Sequence, residues 1–162
     1  MAETLDVTDM LPTKFEPLSQ RRFVFAIEGI DAYLIKTGAR PTFEIAEIAI
    51  PWINSTRYIA GKTTFGTLDV TLHDAIAPSG AQQIQEWIRL HFESVSGRAG
   101  YAEFYKRDIQ IKMLDPVGNV VQLWDIKGSL IQNASFGSLD YGSDELAEIS
   151  LTIRFDNCVL QY

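Results

Sequence analysis

The sequence predicts a mainly β domain: an antiparallel barrel or sandwich with one flanking α-helix and an extended N-terminal arm. Three observations carry this. Apolar and polar residues alternate with a period of two in most segments from residue 21 onward. A single stretch, near residues 78–95, switches to three- and four-residue apolar spacing. Residues 1–20 show neither period.

The elements follow in order. The arm carries Glu3, Asp6, Asp9 and Glu16 with Pro12 and Pro17, so residues 1–20 read as an extended arm and 21–162 as the domain. Phe23, Phe25 and Ile27 share one face of a first strand. Gly29-Ile30-Asp31 reads as a tight turn into residues 32–36, which predicts an early hairpin. Residues 43–50 form a strand that Pro51 limits or places at an edge. Residues 52–59 continue as an extended segment, and Gly61-Lys62-Thr63 reads as a turn. Leu68, Val70 and Leu72 alternate with Asp69, Thr71 and His73 in a half-buried strand.

The helix is predicted from near Pro78-Ser79 to about Val95, with Ser79 as N-cap and Gly97 as stop. Ile84, Trp87 and Ile88 form its apolar stripe, which puts Trp87 in the core. Ile109, Ile111 and Met113 then alternate with Asp108, Gln110 and Lys112. The run Asp115-Pro116-Val117-Gly118-Asn119 signals a turn, residues 120–126 return as a hairpin arm, and 128–136 extend it. The last strand sets Ile149, Leu151, Ile153 and Phe155 against Glu148, Ser150, Thr152 and Arg154. No internal repeat and no low-complexity segment stand out.

Charge and composition exclude several functions. Lys and Arg number 14 against 21 Asp and Glu, a formal net charge of −7, which argues against a duplex-binding surface. The one cysteine, Cys158, cannot form an internal disulfide and reads as small apolar filler. No apolar run approaches the ~20 residues of a membrane-spanning helix. The acidic start Met1-Ala2-Glu3-Thr4-Leu5-Asp6 predicts no secretory leader and assembly in a cytoplasm without membrane insertion.

Catalytic constellations are sparse. His73-Asp74 has no second ligand at metal spacing, and His73 and His91 both read as surface residues. Gly61-Lys62-Thr63-Thr64 resembles the end of a phosphate loop, but the glycine required five residues earlier is Thr56. Asp140, Asp144 and Glu145 are too irregularly spaced for a calcium loop and read as solvated. No catalytic, cofactor-binding or metal-ligating residue is therefore nominated, and no cofactor is expected.

One stretch points further. Pro51, Arg57-Tyr58-Ile59-Ala60-Gly61, Thr64-Phe65, Leu68-Asp69-Val70-Thr71-Leu72 with Asp74, and a helix carrying Ile84 and Trp87 resemble the tail tube proteins of contractile phages. Chain length and the closing strand, residues 148–155, are also similar to that family. The resemblance covers most of residues 21–156. It implies a β-barrel with a flanking helix, assembled as hexameric rings stacked into a tube. Expected partners are further copies of itself, the sheath, the baseplate and the tail terminator. DNA would pass the lumen without specific binding, and the location would be the virion.

Related tubes serve type VI secretion and extracellular injection particles, so a conduit for protein effectors is the alternative. A ligand-binding barrel or enzyme would need converging polar groups in a pocket, which no motif supports. On the tube reading, the interface candidates are Leu5, Pro12 and Phe15 in the arm, then Trp52, Arg57, Tyr58 and Lys62. Tyr141, in the loop from Ser138 to Glu145, completes the set.

Overall fold

The alternating runs become strands because each can bury one side-chain row and solvate the other. The structure, a computed structural model, describes residues 14–162. Its strands are β1 (Phe23–Ile27), β2 (Ile35–Gly38), β3 (Phe43–Trp52), β4 (Ser55–Phe65), β5 (Thr67–His73), β6 (Arg107–Leu114), β7 (Val120–Ser135), β8 (Glu148–Arg154) and β9 (Asn157–Leu160). Helix α1 (Gly80–His91) and the short α2 (Ala102–Tyr105) lie between β5 and β6.

All pairings are antiparallel, in the order β1-β6-β7-β8-β5-β2, with β9 also on β7. Strand β7 serves two sheets. Its first half pairs with β6 and β9, and residues 130–135 pair with β8. The switch falls at Gly128, whose φ of 68° suits glycine, and where a Cβ would crowd the Asp156 carboxylate. Of the two predicted forms, the arrangement is sandwich-like: among the described residues the end strands β1 and β2 do not pair and no barrel closes.

One core fills the space between. Leu68, Val70 and Leu72 of β5 face Ile149, Leu151 and Ile153 of β8, in register as Leu68 with Ile153, Val70 with Leu151 and Leu72 with Ile149. Phe25, Ile27, Ile109 and Ile111 contribute from β1 and β6. Helix α1 sends in Ile84 and Trp87, the latter 1% exposed. The Trp87 indole N–H donates to the Tyr105 carbonyl at 2.6 Å, and the Arg107 guanidinium lies 4.9 Å from the ring centroid.

Several expectations are corrected. The early hairpin does not form: β1 pairs with β6 and β2 with β5, because a 3-10 turn at Ala32–Leu34 separates them and buries Leu34. Gly61-Lys62-Thr63 is not a turn but lies inside β4. The helix ends at His91 rather than near Val95. The Gly100 N–H donates to the His91 carbonyl and Phe92 bridges Ala99, which draws the chain out of the helix. Gly97 has a φ of 69° but lies in the following turn, not at the helix end. The Ser79 hydroxyl makes no cap bond, and the Asp74 carboxylate instead accepts the Ala81 N–H at 3.4 Å.

The turn at 115–119 forms as predicted. Asp115 donates its N–H to the Asn119 carbonyl, and its carboxylate accepts the N–H groups of Val117, Gly118 and Asn119 at 2.9, 2.6 and 2.8 Å.

Candidate assembly surface

Strands β3 and β4 form a sheet of their own, with no third strand among the described residues. The pairing runs from Phe43 opposite Phe65 to Trp52 opposite Ser55, turning at Ile53-Asn54. Phe65 anchors the base, its ring 5.7 Å from that of Phe155 in the core. Beyond that base nearly every residue is exposed. A bulge sits where Gly61 and Lys62 oppose Ala46. A Cβ at Gly61 would lie 3.0 Å from the Ala46 carbonyl oxygen, which accounts for glycine there.

Paired residues share a face, so the register sorts the side chains. One face gathers Ile48, Ile50, Trp52, Ile59 and Arg57. The other gathers Glu47, Ala49, Pro51, Thr56, Tyr58 and Ala60. Trp52 is 71% exposed, Ile53 at the turn 93% and Tyr58 61%. A two-stranded ribbon is marginally stable in water, and two open edges with an apolar face invite pairing. The chemistry on offer is therefore association: main-chain hydrogen bonds along the edges and burial of Trp52 and its isoleucine neighbours.

The sequence-predicted candidates distribute as follows. Trp52, Arg57, Tyr58 and Lys62 lie together on the hairpin. Phe15 is exposed upstream of β1, and Tyr141 is exposed on the separate loop between β7 and β8. Leu5 and Pro12 fall outside the described residues. Sequence reasoning placed Ile53 and Ile59 inside the interface segment 52–62 without singling them out, and missed Ile48 and Ile50 as surface groups. The available signal was the Ile53-Asn54 pair between two extended apolar runs, a hairpin pattern. It also missed the exposed apolar residues after α1: Val95, and Tyr101 and Phe104, whose ring centroids lie 6.2 Å apart.

A cleft of about 930 Å³ beside the β7–β8 loop is lined by His73, Ser143, Asp144 and Glu148 among others. The His73 Nδ1 is buried without a hydrogen-bond partner among the described residues, none of whose carboxylates orients the ring as a base through that nitrogen. His91 stacks edge-on against Tyr105 at 4.6 Å, a packing contact. Among the described residues no group of three His, Cys, Asp or Glu could hold a metal ion, and no helix is long and apolar enough to cross a membrane. Cys158 is half-buried against the core, and burial pushes its thiol pKa up, away from nucleophilic use.

Known proteins share both sequence and architecture with this chain. No protein-family model matches it. A tail tube protein of Serratia phage KSP90 is 26% identical over 128 residues, 78% of this chain and 72% of the relative. Among solved structures, the tube-terminating cap of the anti-feeding prophage superposes with a TM-score of 0.75 at 16% identity, covering 97% of this chain and 99% of that one. The sheath-tube complex of the extracellular contractile injection system PVC, in its extended state, gives 0.68 at 13% identity over 98% and 99%. The resemblance to contractile-tail tube proteins, carried in sequence by residues 51–87, thus extends to the whole fold.

Proposed function

We propose that this chain is a non-enzymatic subunit of the inner tube of a contractile tail, forming hexameric rings that stack into a conduit. The observation that carries this is the β3–β4 hairpin, an apolar ribbon with two open edges and no partner strand among the described residues. A closed ring of heterologous contacts, repeated along an axis, needs such a projecting surface. The fold shared along nearly the full length with parts of contractile injection assemblies supports the reading.

The tube serves a phage tail and genome ejection, in line with the phage relative. The subunit then belongs to a virion assembled in the host cytoplasm, with sheath, baseplate and terminator as neighbours. Six copies at −7 each would carry about −42 per ring. The part of that charge facing the lumen repels DNA within about 8 Å of the wall at physiological salt, so the genome slides. Residues 1–20 act as an arm, with Leu5, Pro12 and Phe15 meeting a neighbouring subunit in the assembled state. Trp52, Arg57, Tyr58 and Lys62 reach the adjacent ring, and Tyr141 makes a lesser contact.

A second reading, a tube that carries protein effectors in an extracellular injection system, is favoured by the solved structures it resembles. Negative-stain microscopy of the purified protein, alone and with a baseplate platform, tests the shared core of both. Rings or tubes of uniform diameter are expected. A strictly monomeric species even on the platform would overturn it, and single rings that never stack would point to a terminating ring instead.

A further inference from the structure

We propose that the outer half of the β3–β4 hairpin seats on the β7–β8 loop of a second copy, with Arg57 set against Asp144 and Glu145. This rests on the tube reading and names the surface that receives the hairpin. Three observations meet here. The first is placement. The hairpin joins the body through Gly66, whose N–H donates to the Thr42 carbonyl at 2.8 Å, and β5 starts at the next residue. The loop, residues 136–147, sits at the other end of β5. There the Asp74 N–H donates to the Ala147 carbonyl at 3.1 Å, and His73 pairs with Glu148. Hairpin and loop thus leave opposite ends of one strand of seven residues, about 20 Å apart. Two different surfaces at opposite ends of a subunit make a head-to-tail contact, which repeats along an axis.

The second is apolar surface on both sides. The loop walls the cleft of about 930 Å³, with Leu139 and Leu146 in its lining. Both leucines are exposed. Around the hairpin tip Ile50, Trp52 and Ile53 are exposed as well. Each surface therefore holds in water apolar groups that the other can cover, and joining them removes both sets from solvent.

The third is charge. Between residues 48 and 59 Arg57 is the one charged side chain, and its pairing with Ile50 puts it on the Trp52 face. Residues 136–147 carry Asp140, Asp144 and Glu145 and no cation. All four charged side chains belong to exposed residues, and the ion pairs found among the described residues include none of them. Lys36, which also lines the cleft, is paired with Glu148 and leaves the loop's charge uncompensated. Asp140 spends one carboxylate oxygen on the Gly142 N–H at 2.9 Å, so Asp144 and Glu145 are the better acceptors. A lone guanidinium on an otherwise uncharged apolar arm complements this rim, since its planar fork matches carboxylate geometry. Complementary charge also sets the register of such a contact and rejects mismatched ones.

Charge reversal in the full-length protein tests it, with assembly followed by sedimentation, alone and on a baseplate platform. R57E and D144K/E145K should each raise the concentration needed for stacking about tenfold or more, because like charges then face each other. The combined variant R57E/D144K/E145K restores opposite signs and should return to within about threefold of wild type. Unchanged melting temperatures of the monomers report an intact fold. Where a reversed variant melts early, R57Q and D144N/E145Q replace it, and the combined neutral variant should then assemble no worse than either alone. Normal assembly of either one-sided variant overturns the inference and leaves the tube standing. So does loss in both without rescue in the combination, because Arg57 and the loop then serve separate contacts. Wild-type protein that stays monomeric even on the platform removes this inference together with the tube reading.

Discussion

Replacing Trp52 with serine separates assembly from folding. A tryptophan carries roughly 200 Å² of buriable surface. Trp52 keeps 71% of its surface exposed in the isolated chain, so about 140 Å² remains for an interface. At about 25 cal/mol per Å² that is up to ~3.5 kcal/mol per contact. Central aromatic anchors typically lose about 2 kcal/mol or more on truncation, which sets the lower end. The expected weakening of each subunit contact is then roughly 30- to 300-fold. The fold should scarcely notice, since surface substitutions away from special features stay within about 0.5 kcal/mol. Light scattering gives the critical concentration for tube growth, and thermal unfolding of the monomer gives stability. A raised critical concentration with an unchanged melting temperature is predicted. An unchanged critical concentration, or a monomer that melts markedly earlier, would refute the reasoning.

Three further predictions follow. Trp87→Ala removes a fully buried ring, its bond to the Tyr105 carbonyl and the Arg107 contact, and should cost about 3–5 kcal/mol in denaturant unfolding. Deleting residues 1–17 should leave a folded monomer by circular dichroism but abolish tube growth; normal tube length would remove the arm's role. The Asp115 carboxyl is held below its ordinary pKa, chiefly by the backbone N–H and side-chain amide of Asn119. Its folded value is depressed, so its contribution is complete above the unfolded value of about 3.9 and is lost as pH falls through the folded one. Asp115→Asn should flatten that acid limb in a stability–pH profile, by a small amount because the group is exposed.

Much of the fold was legible because burial writes itself into alternation. Strands β5, β6 and β8 each bury every second residue, and their patterns are plain in the sequence. The Trp87 stripe marked the helix for the same reason. Pairing was less legible. Nothing local tells β1 to choose β6 over its sequence neighbour β2, because that choice is made by the core that Phe25 and Ile111 share. The β3–β4 hairpin was the hardest part. Its residues read as a strand over 43–50, an extended segment over 52–59 and a turn at Gly61-Lys62-Thr63, so the pairing of β3 with β4 was not seen. On the proposed tube reading the partners of Ile48, Ile50 and Ile59 are other copies, and sequence patterning marks them as apolar without revealing that the described fold leaves them exposed.

The most direct test of the central claim is a cryo-microscopy reconstruction of the assembled protein at side-chain resolution. The account predicts that the face carrying Ile48, Ile50 and Trp52 is buried against another copy, with Ile53 out of solvent. Rings or tubes in which that hairpin still projects bare into water would contradict it.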